Sequence, residues 1–478
     1  VSIFPVRGAW TCTIAAKSAD CTTAQVEPFQ SGELTVTLHA DATNGGTATL
    51  TMTVTAAEPP NENSQPVATA DLQLYHLIVV DTVAENGPGS LRAAIEEANS
   101  AHAPAKIAFR LTNPVPGEGY FVFTPLAPLP PITAESIVID GKSQTRFSGD
   151  TNLRGPEIAI DGHLAHKGLE IHSPCEAKIE GLALGHFDGN QALWFTKDGA
   201  CTSIPMYEIE RWVKDNYIGT DPTGTVAWPN LRGLRLDFGD GEIRNNVISG
   251  NTYSGMWLWE TGPRPDEFVI EENLIGTAAN GVTPLPNGAA GMLLGPRVTA
   301  KVRRNVIANH PGMGVALVPG ESFVDIRENS MRNNGGLGID WGIDGISPVN
   351  GPDARRQPNA PVLLASRYDA ERDLTFFTVS IQTERLPELD GSIFWLDFYA
   401  NDGPDGDGEH WLAIANGGSA SNGEPFEVWI QGNHRGRWIN ATQTRVPQVF
   451  LRPPDIASEF AHFGEYSTSE LSNAILAQ

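Results

Sequence analysis

Short segments of alternating apolar and polar residues recur between residues 168 and 341. Each copy opens with glycine or alanine, and the copies read GLEIH, ALWFT, GLRLD, GMWLW, GMLLG, GVALV and a shorter GIDW. Segments this short, with alternating apolar residues and interruptions at Gly, Asn and Pro, predict β-strands, because helical repeats need about ten or more residues at 3.6-residue spacing. The chain therefore repeats one short strand along an extended region.

An asparagine recurs between the strand copies, followed by an apolar residue two places later in most copies. These asparagines are Asn216, Asn246, Asn273, Asn305 and Asn329, and the steps between them are 30, 27, 32 and 24 residues. A period of this kind predicts a solenoid whose units must stack to bury a core. With strands as the units, we expect a parallel β-helix with coils about 4.8 Å apart. The asparagines then form an inward ladder at a tight corner.

Strand patterns precede the repeats in residues 1–72. LTVTLHA and TATLTMTVT flank Asn44-Gly45-Gly46, and this alternation about a glycine turn predicts a hairpin in a small β-sandwich. The order WTC, CT, GELTVTL, TATLTMTVT resembles the Ig-like modules of bacterial surface proteins, without their first strands. A truncated Ig-like module is therefore expected, followed by the linker-like EPPNENSQP.

The segment 90–99 predicts an amphipathic helix immediately before the coils. Ser90 can cap it, and its apolar stripe can cover the open end of a β-helix. The runs GSLRAAIEEAN, IDGKSQ, NYIGTDPTGT, NNVISGN and GGLGIDWGIDG resemble secreted bacterial right-handed parallel β-helix repeat proteins of the pectate-lyase-like superfamily. The resemblance covers about residues 78–475. It implies a right-handed β-helix over residues 73–360 but does not select a function, because that superfamily includes lyases, hydrolases, epimerases and adhesins.

Alternating strands return after the coils, so residues 361–478 predict a second β-sandwich closing the other end. The fold class expected is thus all-β, a right-handed parallel β-helix between two β-sandwiches. An acidic loop in the last domain could hold structural Ca²⁺, since several carboxylates lie on a Gly-rich segment: Asp402, Asp405, Asp407 and Glu409. The spacing differs from an EF-hand loop, so a solvated hairpin tip is the alternative.

Charge and cysteine use limit the partners. The net charge of −25 argues against nucleic acid, which needs a basic surface, and no apolar stretch is long enough to span a membrane. Four cysteines favour an extracellular location, and a chain that begins at Val1 is expected to be a mature or trimmed product. Two disulfides are predicted, Cys12–Cys21 and Cys175–Cys201.

The outward positions of the recurring strand form two ladders that carry the candidate chemistry. The first reads Glu170, Trp194, Arg235, Trp257, Leu293, Ala316, Asp340, and the second reads His172, Thr196, Asp237, Trp259, Gly295, Val318. Tryptophan faces suit the apolar faces of sugar rings, whereas carboxylates and arginine bind sugar hydroxyls. A polysaccharide is therefore the predicted partner, with Trp194, Arg235, Trp257, Trp259, His172 and Lys197 as binding residues.

Glu170 and Asp237 are the predicted catalytic pair. They lie two coils apart, about 9–10 Å by the coil spacing, and inverting glycoside hydrolysis uses an acid and a base about 6.5–9.5 Å apart. Glu260 and Asp240 are alternative partners. A lyase would instead need a cation and a base, which Arg235, His172 and Lys197 could supply. No cofactor is required for either reaction.

Other motifs are less informative. His163 and His166 are three residues apart, but the sequence shows no third ligand at matching spacing, which favours turn histidines over a metal site. There is no GxSxG elbow, HExxH helix or phosphate-binding glycine loop. Three functions remain open: a polysaccharide hydrolase or lyase, a non-catalytic glycan-binding or adhesive surface protein, and a structural spacer.

Overall fold

The protein divides into two units, residues 1–74 and 75–478, in a computed structural model. The structure describes the strand backbones at 2–5, 10–15, 18–23 and 34–37, together with residues 75–101, 103–172, 175–196, 210–237, 240–259, 266–320, 322–343, 345, 359–381, 393–418, 423–446 and 467–478.

Four strands are described in the first unit. Ser2–Pro5 pairs antiparallel with Leu34–Thr37, and Trp10–Ala15 pairs antiparallel with Ser18–Thr23. The second pairing places Cys12 opposite Cys21. The predicted hairpin around Asn44 lies outside the described residues, so the Ig-like module stays a prediction.

Three parallel sheets form most of the second unit. We call the sheet of the recurring strands sheet 1, and its seven described strands are Leu169–Ile171, Gln191–Phe195, Arg232–Leu236, Met256–Leu258, Met292–Leu294, Val315–Leu317 and Ile339–Trp341. Sheet 2 has nine: His76–Val80, Ala105–Phe109, Ile137–Asp140, Ala177–Glu180, Glu210–Lys214, Asp240–Arg244, Asp266–Glu271, Val298–Arg303 and Phe323–Arg327. Sheet 3 has eight: Phe121–Phe123, Ile158–Asp161, Leu182–Gly185, Tyr217–Ile218, Val247–Ile248, Leu274–Ile275, Val306–Ala308 and Ser330–Arg332.

Successive strands of the chain alternate among the three sheets, and strands one coil apart pair in parallel. This arrangement is a parallel β-helix, as the sequence period predicts. The apolar residues of the recurring strand all point inward, each being at most 1% exposed: Leu169, Leu193, Leu234, Met256, Met292, Val315 and Ile339. The core therefore fills the interior of the coil stack.

The predicted asparagine ladder lies at the corner between sheets 2 and 3. Each side-chain amide donates to the Oδ1 of the next asparagine at 2.9–3.1 Å, from Asn216 through to Asn329. Each amide also donates to a strand carbonyl of the preceding coil, for example Asn273 to Ile243 O at 2.8 Å. Because all five residues are buried, these bonds satisfy amides that would otherwise be costly.

A second buried ladder, absent from the sequence prediction, lies after sheet 3. Asn230 donates to Asn251, and Asn251 donates to Asn287, at 2.9 Å in both cases. His310 takes the next place, where its Nδ1 accepts from the Asn287 backbone N–H at 3.3 Å. Asn334 follows, accepting from the His310 backbone N–H at 3.2 Å.

Helix α1, Leu91–Ser100, covers the first coil. Ser90 caps it by accepting from the Ala93 N–H at 3.2 Å, and its buried face joins the core of the coils through Leu91, Ala94, Ile95 and Ala98. The helix and its Ser90 N-cap lie where the sequence predicts them. A second helix, α2, spans Lys142–Ser148 in the IDGKSQ run, and its Gln144 side chain bonds both the N–H and the C=O of Leu111.

The C-terminal region forms two antiparallel sheets with their own core. One contains Val362–Asp369, Leu374–Ser380 and Phe426–Gln431; the other contains Ile393–Asn401, His410–Gly418, Trp438–Val446, Ser467–Thr468 and Ile475–Leu476. Phe377 and Phe398 stack between them with ring centroids 4.8 Å apart. Since both faces contribute to one buried cluster, this region is a β-sandwich.

The sandwich packs on the last coil. The Thr468 hydroxyl accepts from the Ile326 N–H at 2.8 Å, and the Trp341 indole donates to the Thr468 carbonyl at 3.0 Å. The Met331 N–H donates to the Gly408 carbonyl at 2.9 Å. These contacts satisfy strand-edge groups that a solenoid end would leave open.

Candidate functional site

The outward positions of sheet 1 stack in the predicted register. Glu170 is opposite Trp194, Trp194 opposite Arg235, and Arg235 opposite Trp257. The ladder continues through Leu293 and Ala316 to Asp340.

The second ladder follows immediately after the strands. The N–H of Thr196, Asp237 and Trp259 each bonds the preceding coil, Asp237 donating to the Phe195 carbonyl at 3.0 Å. Their side chains therefore lie one above another on the same face as the first ladder.

Arg235 is the centre of this face. Its guanidinium carbon lies 5.1 Å from the Trp194 ring centroid and 5.0 Å from that of Trp257, so the cation is placed between two indoles. Its Nε donates to Asp237 Oδ1 at 2.6 Å. Cation–π contact and a charge-assisted hydrogen bond together fix the side chain. Trp194 and Trp257 are half-buried for this reason, rather than fully exposed as the sequence alone suggests.

Asp237 has both carboxylate oxygens engaged. Oδ1 accepts from Arg235 and Oδ2 accepts from the Trp194 indole N–H at 2.8 Å, and only 12% of the side chain is exposed. A carboxylate held in this way is an oriented acceptor for hydroxyl donors.

Glu170 borders the face on the N-terminal side. Its carboxylate lies 3.6 Å from Lys167 Nζ and 3.9 Å from His172 Nε2. Two coil spacings separate its strand from that of Asp237, about 9–10 Å along the axis. The two predicted catalytic residues thus share one face, with a tryptophan between them.

Arg232 and Tyr253 join the face although sequence reasoning did not select them. The Arg232 guanidinium carbon lies 5.0 Å from the Trp257 ring centroid and 5.4 Å from that of Tyr253, whose side chain is exposed. Trp259 packs edge-on against Trp257 at 5.8 Å. No sequence signal selects Arg232, because strict alternation puts it in phase with the inward Leu234 rather than with Arg235.

Three predicted residues are placed differently or not described. Asp240 begins a strand of sheet 2 and not of sheet 1. Glu260 and Lys197 lie outside the described residues, and their predicted roles stay predictions.

The acidic loop of the sandwich separates into two environments. Asp402, Glu409 and His410 place ligand atoms within 4.8 Å of one another, which is a set that could hold a cation. Asp407 instead lies toward the last coil, where burial raises its pKa to about 6 and hydrogen bonds from the Asn334 and Gly338 backbone partly oppose the rise. Asp405, which is exposed, and Asp407 are not members of the set formed by Asp402, Glu409 and His410.

Cys175 is buried at the start of its coil, and its predicted partner Cys201 lies outside the described residues. Neither of the described helices has the length and apolar run needed to cross a membrane.

Comparison with known proteins does not assign the chain to a family. No family model matches the chain, and no match was found among curated proteins. The sheet topology defines the chain as a parallel β-helix protein. The residues that bear on its activity lie on sheet 1.

Proposed function

We propose that this protein is an extracellular carbohydrate-binding β-helix of the pectate-lyase-like kind, and that it binds a polysaccharide along the outer face of sheet 1. The observation that carries the proposal is the Arg235 guanidinium held between Trp194 and Trp257 while it orients Asp237. Aromatic faces with fixed polar groups beside them are what a sugar chain requires.

The spacing of the face supports a chain-like ligand. Successive rungs repeat about every 4.8 Å, so a polymer along the axis meets aromatic and charged groups at regular intervals. Glu170, Trp194, Arg235 and Trp257 occupy four consecutive rungs. The next two rungs, Leu293 and Ala316, offer no polar side chain, which limits the proposed site to the N-terminal half of sheet 1.

The test is polysaccharide affinity of Trp257→Ala. We expect a loss of about tenfold or more, because an aromatic anchor contributes on the order of 1–3 kcal/mol to binding. A polysaccharide panel on affinity gels, followed by calorimetry on the best ligand, measures it.

Trp212→Ala is the matched control. Trp212 lies on sheet 2 between Lys178 and Lys214, whose amines are 3.8 and 3.9 Å from its ring, so it has the same cation–aromatic packing on another sheet. Equal losses in Trp212→Ala and Trp257→Ala would contradict a site on sheet 1.

Cleavage of the bound glycan is the second candidate, favoured by the two-coil separation of Glu170 and Asp237. If Glu170 and Asp237 supply the acid and the base, we expect Asp237→Asn to lower turnover by a factor of about 100 or more with little change in affinity. Reducing ends report hydrolysis, and absorbance of unsaturated uronates reports lyase chemistry. Absence of both products in wild type, with binding retained, would leave a glycan-binding or adhesive protein.

A further inference from the structure

Histidines and aspartates cluster where two neighbouring strands of sheet 3 end. Ile158–Asp161 and Leu182–Gly185 pair with Asp161 opposite Gly185. His163 and His186 directly follow these strands, so the coil stacking brings together two histidines that are 23 residues apart in the sequence. Sequence spacing alone does not reveal this pair.

We propose that His163 and His186 bind a divalent transition-metal ion, with Asp161 orienting the ring of His186 and holding the backbone of His163. This site is separate from the sheet 1 face and does not depend on the proposed glycan function. Imidazole nitrogen is a ligand that suits Zn²⁺, Cu²⁺ and Ni²⁺.

Asp161 Oδ1 organises the pair. It accepts from the His186 ring Nδ1 at 2.9 Å and from the His163 backbone N–H at 3.1 Å. Because the carboxylate accepts at Nδ1, the proton of neutral His186 lies there and Nε2 keeps its lone pair. A carboxylate behind the imidazole is the usual support of a metal-ligating histidine.

The two rings are close enough for one ion to bridge them after a small rotation of the exposed His163 ring. The centroids of His163 and His186 lie 6.2 Å apart with the ring planes at 77°. With metal–nitrogen bonds of about 2.0–2.1 Å, two imidazole centroids on one ion lie up to about 6.4 Å apart when the ligands are trans and about 5 Å apart at a tetrahedral angle, so binding has to close a gap of at most about 1 Å.

The ligand atoms are available. In the described part of the chain, neither ring nitrogen of His163 nor Nε2 of His186 has a protein hydrogen-bond partner. Trp228 stacks on His186 with centroids 5.0 Å apart and planes at 25°, which fixes the ring plane. Water would complete the coordination, because the cluster is solvent-accessible.

His166, three residues after His163, is likewise a histidine whose ring contacts an aspartate. Its Nδ1 lies 2.6 Å from Asp188 Oδ1, and its backbone carbonyl accepts from the Gly189 N–H at 3.0 Å. The turn histidines of the sequence thus acquire a third partner, His186, from the neighbouring coil.

Titration calorimetry with Zn²⁺ and Ni²⁺ at pH 7.5 tests the site. We expect one ion per chain at this site, with at least about tenfold weaker binding in His163→Ala and in His186→Ala, and about 10- to 100-fold weaker binding in Asp161→Asn. His76→Ala is the matched control, because His76 pairs with Glu97 at 2.8 Å and is likewise a histidine supported by a carboxylate. Its affinity should equal that of wild type.

Electron paramagnetic resonance of wild type with one equivalent of Cu²⁺ gives a readout that needs no variant to fold. Hyperfine coupling to two nitrogens supports the pair, and an oxygen-only or one-nitrogen spectrum overturns it. Binding that disappears in His410→Gln but persists in His186→Ala would assign the ion to Asp402, Glu409 and His410 instead, and would also overturn the proposal.

Discussion

His310 occupies a ladder position that asparagine fills in the other coils. It is almost fully buried, and burial lowers the pKa of its imidazole to about 4 while hydrogen bonds with the backbone of Asn287 and Ile275 partly oppose the shift. The imidazole is therefore neutral in the folded protein at pH 7.

Acid is expected to destabilise the protein through His310. The folded pKa of about 4 lies below the unfolded value of 6.5, so folding favours the neutral ring; this stability is complete above pH 6.5 and is lost as pH falls towards 4. Between pH 7.5 and 5 wild type should lose about 2 kcal/mol from this group.

His310→Asn should remove that loss, because asparagine completes the ladder without titrating. Urea unfolding at pH 7.5 and pH 5 measures it, with His410→Gln as an exposed-histidine control. An unchanged difference between the two pH values in His310→Asn would show that His310 does not cause the acid sensitivity.

Of the two buried ladders, only the first could be predicted from the sequence. Asn216 to Asn329 were predictable because each is followed by the same apolar pattern at a near-regular step. The second ladder has steps of 21, 36, 23 and 24 residues and contains a histidine, because the inserted loops change the length of the path between equivalent corners. Local sequence does not reveal which residues of unequal loops meet.

At the scale of elements, helix α1 closes an end that would otherwise expose the core. Ile95 is fully buried in the same cluster as the first strands of sheet 2. Both Ser90 at the cap and the apolar stripe were predictable, since the signals are local.

Ile95→Ala should destabilise the protein by about 2–5 kcal/mol, the usual range for truncating a buried aliphatic side chain. Exposure of the first coil should also promote association through its edge. Urea unfolding and light scattering after chromatography report the two effects. Glu96→Ala, on the exposed side of the same helix, should behave as wild type. Equal destabilisation in both variants would show that loss of core burial is not the cause, because alanine does not lower helix propensity.

The sheet 1 face was predictable only in part. Alternation along each strand placed Glu170, Trp194 and Trp257 on one surface correctly. It did not show that Arg235 lies between the indoles or that Asp237 has both oxygens bonded, because those contacts depend on side-chain rotamers across coils. Asp407 was grouped with Asp402 for a similar reason: sequence proximity does not show that one side chain of a loop packs against a distant coil.

At the scale of the whole molecule, the sandwich and the last coil share a buried polar interface. Asp397 accepts from the Trp411 indole at 2.8 Å and faces Arg327, Asp325 and the Glu328 backbone of the coils, with Tyr399 beside it. Burial is the main reason that the pKa of Asp397 rises to about 7; the indole bond and Arg327 lower it, and Asp325 raises it.

A rise in pH to neutrality should weaken the protein through Asp397. The folded pKa of about 7 lies above the unfolded pKa of 3.8, so the contribution of the protonated carboxyl to stability is complete below pH 3.8 and is lost as pH rises through 7. Asp397→Asn should reduce the loss between pH 5 and 8 by about 2–3 kcal/mol. Urea unfolding at both pH values measures it, and parallel profiles for the variant and wild type would refute the role of Asp397.

The contact between successive ladder asparagines also defines one coil as the repeating unit of the β-helix. Residues 246–272 run from one ladder asparagine to the position before the next, and the same segment contains one member of the second ladder, Asn251. Without this segment, Asn273 would meet Asn216 and Asn287 would meet Asn230, so both ladders would close again on a rod shorter by one rung of about 4.8 Å. Duplication or loss of whole coils can therefore change the length of the β-helix in steps of one coil. The helix at one end and the sandwich at the other would still cover the same end surfaces.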